Sequence, residues 1–245
     1  MFTKREKVHL LISILFLTFV FGFDDGSKVF IFDNWIFNLI SIFFFLIISI
    51  LIREVVVKFF SKRHDAISEY EIWRIKRVWF GNIGKLSRSF PLGILMALFI
   101  TLGSKGRLFF SAIGIHNLSE NKSARLGRKQ LNLNYLEESQ IVSTGILAHI
   151  FLGVIGVIIG NYFGINTLKF VNINFFMALF NMIPLSNLDG TKIFFGSLFT
   201  YVFLLVFIIL LFLLIHFTVF WGILLAFVIA VLATLVYFFV SSYGR

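Results

Sequence analysis

"LIREVVVKFFSKRH", residues 51–64, closes an apolar run that begins at Trp35 and halts on Arg53 and Glu54. Residues 35–50, WIFNLISIFFFLIISI, carry no charge at all. A bilayer crossing takes about 20 apolar residues, so the segment 35–59 reads as a transmembrane helix. Counting from Trp35, Arg53 lies about 27 Å along that helix. That is close to a membrane interface, where an arginine can snorkel to water. Glu54 and Lys58 stand four apart, the spacing of a surface ion pair. The alternative is that Arg53 and Glu54 face the protein interior and belong to a site.

Composition places the rest of the chain in the same class. Its 245 residues are 59% hydrophobic and 18% aromatic, with 35 Phe and a mean hydropathy of +0.96. Only 14% are charged, against about 25% in a soluble domain. The expected fold is all-α and polytopic, a single membrane domain over 1–245. Apolar stretches place six crossings at 8–23, 35–59, 141–163, 171–194, 197–217 and 219–240. The first follows the basic MFTKREK but lacks a small-residue cleavage site, so it reads as an anchored helix. The 22 Lys and Arg against 12 acids give a net charge of +10. In a membrane protein such charge belongs to cytoplasmic loops resting on anionic lipid, so lipid is an expected partner and nucleic acid is not. Tyr70, Trp73 and Trp79, interleaved with Arg74, Lys76 and Arg77, read accordingly as an interfacial belt. With no Cys there are no disulfides and no thiolate metal sites.

The loops give an orientation. MFTKREK and the eight Lys or Arg of 58–88 fall inside, and FDDGSKVFIFDN, with three Asp and one Lys, falls outside. Both termini are then cytoplasmic in a cell membrane. SFPLGILMALFITLG, 89–103, is apolar but basic on both flanks, so it reads as re-entrant, leaving through the extended run RLFFSAIGIHNL. Segment 64–140 is therefore expected to be a cytoplasmic or re-entrant insertion, with a short β component. Within 141–163, Gly153, Gly156 and Gly160 suggest close helix packing inside the chain.

A second polar cluster interrupts the fourth apolar stretch at NMIPLSNLDGTK, 181–192. Intramembrane ionisable residues cost about 2.5–3.5 kcal/mol at mid-span and usually face a bundle interior. Pro184 removes a backbone donor and breaks the helix, and Gly190 suits a tight turn. Asn181, Pro184, Asn187 and Asp189 therefore sit on a broken helix, beside backbone groups that need partners.

The stretch Asn181, Pro184, Leu188, Asp189, Gly190 resembles the Asn-x-x-Pro-x-x-x-Leu-Asp-Gly signature of the site-2 proteases, the peptidase M50 family of intramembrane zinc metalloproteases. REVVVKFFSKRHDAISEYEIW lines up with the family's His-Glu-x-x-His helix and with the basic stretch and strand after it. FFSAIGIHNL resembles a segment of archaeal members, and IVSTGILAHIFLGVIG resembles their Ala-Gly-Pro-x-x-Asn span. The likeness covers about residues 50–196. It implies a core formed by the second, third and fourth spans, and partners that are transmembrane segments of other proteins. In the family, two His one helical turn apart bind zinc beside a Glu that acts as general base, and the Asp is the third ligand.

Here those five positions read Arg53, Glu54, Val55, Val56, Val57, so both His are gone. Glu54 keeps the general-base position and Asp189 the ligand position. His149 stands for the family's Asn and is the one plausible recruit as a ligand. His64 and His116 fall in the polar segment, and His9 and His216 on other spans. A catalytic zinc needs three protein ligands, so the expectation is no metal and a pseudoprotease that binds transmembrane helices without cutting them. Removing zinc strands buried carboxylates. Arg53 is expected to supply the missing charge by reaching Asp189, its planar fork matched to a carboxylate. Two alternatives stand beside this: an active protease with an atypical zinc site, and a transporter or channel component.

Overall fold

The computed structural model describes residues 2–27, 29–77, 85–125, 132–215 and 219–243. It is mostly helical: α1 Lys4–Gly22, α2 Phe32–Arg63, α3 Leu92–Gly103, α4 Tyr135–Phe163, α5 Leu168–Asn181, α6 Asp189–Gly196, α7 Leu198–Leu214 and α8 Val219–Tyr243. The strands are β1 Ala66–Ile72, β2 Ile75–Arg77, β3 Lys85–Phe90 and β4 Gly114–Glu120. β1 pairs with β4. β2 pairs antiparallel with β3, with Ile75 opposite Phe90 and an irregularity before Arg77 meets Lys85.

Three helices among the described residues are long and apolar enough to cross a membrane: α2, α4 and Val219–Ser242 of α8. α3, α5 and α7 are shorter apolar helices. α1 spends its first turn on Lys4, Arg5, Glu6 and Lys7, closed by a capping box between Thr3 and Glu6. α4 starts at Tyr135, ahead of the expected 141, because Asn134 and Glu137 form a second capping box there.

The apolar stretch 171–194 is two helices rather than one. α5 ends at Asn181 and α6 begins at Asp189. Pro184 cannot donate into the ladder, and the left-handed residue in the break is Ser186, at φ 49°. Gly190 is therefore not the turn residue. It is the second residue of α6, and a Cβ there would collide with the backbone of Met182 and Ile183. The apolar run 89–103 yields α3, twelve residues long, preceded by Pro91.

The chain forms two compact units: residues 1–50 with 68–117, and residues 51–67 with 118–245. In the first, α1 lies against α3. Glu6, buried, accepts the Tyr70 N–H at 3.1 Å, and the Tyr70 hydroxyl bonds Ser13 at 2.9 Å. Tyr70 and Trp73 are thus core residues, not an interfacial belt: Tyr70 lies on the inward face that alternates along β1, and Trp73, just past the strand end, donates its backbone N–H to Ile113 O at 2.7 Å. His116 is fully buried on β4, its ring 6.0 Å from that of Tyr70 and edge-on to it. It is not the loop residue the polarity of its neighbours implied. His9 is buried on α1, its Nε2 3.5 Å from an Arg74 guanidinium nitrogen. Trp79 and His216 lie outside the described residues.

In the second unit α4 is the central helix, packed on α5 and α6, while α7 and α8 form a hairpin. One apolar cluster runs through Ile146, Ile150, Phe175, Met182, Ile193, Ile208 and Leu211. Gly153 and Gly156 admit α5 directly. A Cβ at Gly153 would fall 2.8 Å from the Phe175 ring, and one at Gly156 2.8 Å from Val171. The small-residue spacing thus serves packing within this chain. Gly153→Leu is expected to destabilise the protein by about 1–3 kcal/mol through overpacking, read as a lower thermal midpoint in detergent. The exposed swap Leu147→Ile should leave that midpoint nearly unchanged.

Candidate functional site: a buried ion pair between helices

All the residues singled out at 53–57, 149 and 181–190 fall within the second unit. Arg53 projects from α2 and Asp189 is the first residue of α6. Arg53 Nη2 donates to Asp189 Oδ2 at 2.8 Å. Arg53 Nη1 stands 3.4 Å from Glu54 Oε1. Relative exposure is 3% for Arg53, 0% for Glu54 and 1% for Asp189. These numbers decide between the two readings of Arg53. An arginine snorkelling to water would expose its head, and a Glu54–Lys58 surface pair would expose Glu54. Neither holds. The contact expected between Arg53 and Asp189 is present, at the length of a charge-assisted hydrogen bond.

The helices deliver these groups for local reasons. α2 is continuous through Arg53, held by its apolar run and finished with Lys62 and Arg63 in the last turn, where cations suit the helix C-terminus. Asp189 opens α6, where a carboxylate meets the positive end of the helix, an effect of about 1 kcal/mol. The break after Asn181 makes that possible, since an unbroken helix would have no free N-terminus there. Asn181 finishes α5 by donating its side-chain amide to Met177 O at 2.7 Å. Gly190 allows α6 to start hard against Met182 and Ile183.

Two further residues build the site. Gly145 on α4 lies under the arginine stem. A Cβ there would sit 3.3 Å from Arg53 Nε and 2.9 Å from Val57 Cγ2. The sequence carried this as the glycine of IVSTGILAHIF, without stating what it faces. Asn174 on α5 is buried and its Oδ1 lies 3.0 Å from His149 Nδ1. Asn174 Nδ2 donates to Phe170 O at 2.9 Å, so its oxygen is the acceptor and His149 Nδ1–H is the donor. The only signal for it was an Asn in the apolar stretch VNINFFMALF, which holds Asn172 as well.

Chemically, the arrangement is a guanidinium between two carboxylates, enclosed by apolar helices. Among the described residues no three His, Asp or Glu side chains converge in a way that would hold a metal ion. Comparison of the chain with protein-family models, with curated proteins and with solved structures finds no match.

Breaking a buried pair from one side strands the other charge, at about 3–5 kcal/mol. Arg53→Gln is therefore expected to lower stability by that order. Replacing the arginine together with both carboxylates beside it, as in Arg53→Met with Asp189→Leu and Glu54→Gln, should recover most of the loss. Unfolding of the purified variants in mixed micelles checks both. A triple variant no more stable than Arg53→Gln alone would contradict the pairing.

Proposed function

We propose that the chain is a site-2-protease-like membrane protein in which an arginine does the electrostatic work of a metal ion. It binds transmembrane helices of partner proteins without cutting them. On this reading it crosses the membrane six times, with both termini cytoplasmic. The Leu-Asp-Gly resemblance motivates the family, and the Arg53–Asp189 contact is the single observation that carries the loss of catalysis.

The zinc of the resembled family does not fit these residues. Asp189, the retained ligand position, is taken up by a guanidinium at 2.8 Å. A cation that close to a ligand oxygen opposes a second cation on the same carboxylate, by about 4 kcal/mol for unit charges 4 Å apart at an effective dielectric of 20. Val57, at the second His position, is an apolar core residue packed with Ala66 and Ile141. His149, the possible recruit, donates through Nδ1 to Asn174 and keeps Nε2 as a ligand atom, but among the described residues it joins no group of three His, Asp or Glu able to hold a metal ion. Glu54 sits beside Arg53 with its charge balanced rather than poised toward a metal-bound water. The binding of partner helices is what the resemblance implies, since the ion pair itself is enclosed and presents no surface.

Elemental analysis of the purified full chain in nanodiscs is expected to find zinc far below one per chain. Arg53→His with Val57→His rebuilds the lost pair next to Asp189 and should raise zinc toward one per chain. Fluorescent single-span peptides reconstituted with the chain should show energy transfer and be recovered intact. Stoichiometric zinc in the unaltered protein, or cleaved peptides, would overturn the proposal in favour of an active enzyme.

A further inference from the structure

One element of the second unit lies outside the ion-pair site and yet bears on it. Arg125 is 1% exposed, in the most polar stretch of the chain, where a buried arginine is least expected. Its Nη1 donates to His64 O at 2.8 Å. Its Nη2 donates to Asn132 O at 3.2 Å and to Glu137, at 2.9 Å to Oε2 and 3.2 Å to Oε1. His64 directly follows the last residue of α2, where carbonyls lack helical partners. Glu137 belongs to the first turn of α4 and closes its capping box with Asn134. A single guanidinium therefore joins the C-terminal end of α2 to the N-terminal end of α4. Two further bonds from backbone amides reinforce the same base: Asn121 N–H to Asp65 O at 3.0 Å, and Leu133 N–H to Glu120 Oε1 at 3.3 Å.

From that end, α4 and the last part of α2 run along each other. Glu137, Ile141, Gly145 and His149 recur every four residues and so lie on one face of α4. Ile141 packs with Val57 and Ala66. One turn deeper, Gly145 meets Val57 and the stem of Arg53. The sequence of contacts is Arg125 with His64 and Glu137, then Ile141 with Val57, then Gly145 with Arg53. Arg53 is eleven residues from His64, about 16 Å along the helix. Gly145 leaves no side chain to key the two helices where Arg53 crosses, so their register is set elsewhere along the seam. A hydrogen-bonded clamp resists sliding in a way that Val, Ile and Ala contacts do not.

We infer that Arg125 is a positioning residue. It fixes the register of α2 against α4 and thereby holds Arg53 within reach of Asp189 from more than two helical turns away. The inference concerns this chain's helix register and holds whether or not the site receives a partner helix.

The chain has no cysteine, so a pair can be introduced without background. In the full chain in nanodiscs, Val57→Cys with Ile141→Cys is expected to cross-link efficiently on oxidation when Arg125 is present, and several-fold less with Arg125→Gln. Thermal midpoints of Arg125→Gln, Arg53→Gln and the double variant form a cycle. If the clamp acts through the ion pair, the double variant loses clearly less than the sum of the single losses. Arg125→Lys, a point charge without the fork, should restore little of the cross-linking. Additive losses in the cycle overturn the inference whatever the cross-linking gives, as does an unchanged cross-linking yield in Arg125→Gln. Should Arg125→Gln fail to fold, Glu137→Gln, which keeps the carbonyl contacts, enters the same cycle with the same two criteria.

Discussion

A guanidinium and a carboxylate facing each other in an apolar interior constrain everything around them. Neither charge is tolerable there alone, because the desolvation of each amounts to several kcal/mol. Arg53 and Asp189 must therefore meet, and the helices that carry them must stay where they can meet. Much of the second unit reads as the apparatus for that requirement. The break at residues 182–188 gives Asp189 a helix N-terminus, Gly190 lets α6 begin close to the chain it has just left, and Gly145 clears a path for the arginine stem.

The same pair bears on what the protein does. In the resembled proteases these positions belong to a metal centre, and a divalent ion gathers the carboxylates and activates water. An arginine gathers carboxylates equally well but activates nothing. It is always protonated and offers no ligand atom. On the proposed reading, the exchange keeps the electrostatic core and gives up the reaction. Glu54, next to Arg53 and fully buried, then has a partner rather than a task. His149 belongs to a neighbouring polar pair with Asn174, and this pair orients the imidazole and commits its Nδ1 proton.

Long-range order in the second unit comes from few polar contacts set among many apolar ones. Apolar packing between α4, α5 and α7 joins them broadly but discriminates poorly between neighbouring registers. Directional bonds discriminate well. Arg125 at one end of the α2–α4 seam and Arg53 within it are both buried arginines, and both bridge elements far apart in the chain. In the first unit Glu6 and Tyr70 play the corresponding part between α1 and β1.

Helical character, the apolar runs that become α2, α4 and α8, and the interruption at Pro184 were all legible in the sequence, because they follow from local composition and from a missing backbone donor. The contact of Arg53 with Asp189 was expected from the resemblance, which sets the two at ligand positions of one metal site, whereas the residues by themselves suited Arg53 to a membrane interface as well. Other features depended on tertiary structure. Division into two units, the burial of Tyr70, Trp73 and His116, the roles of Gly145 and Asn174, and the Arg125 clamp involve residues distant in sequence whose types alone look ordinary. A glycine in a helix or an arginine in a polar loop has many possible neighbours. Only the fold selects one, because burial and hydrogen-bond geometry are properties of the assembled helices and not of the residues taken in order.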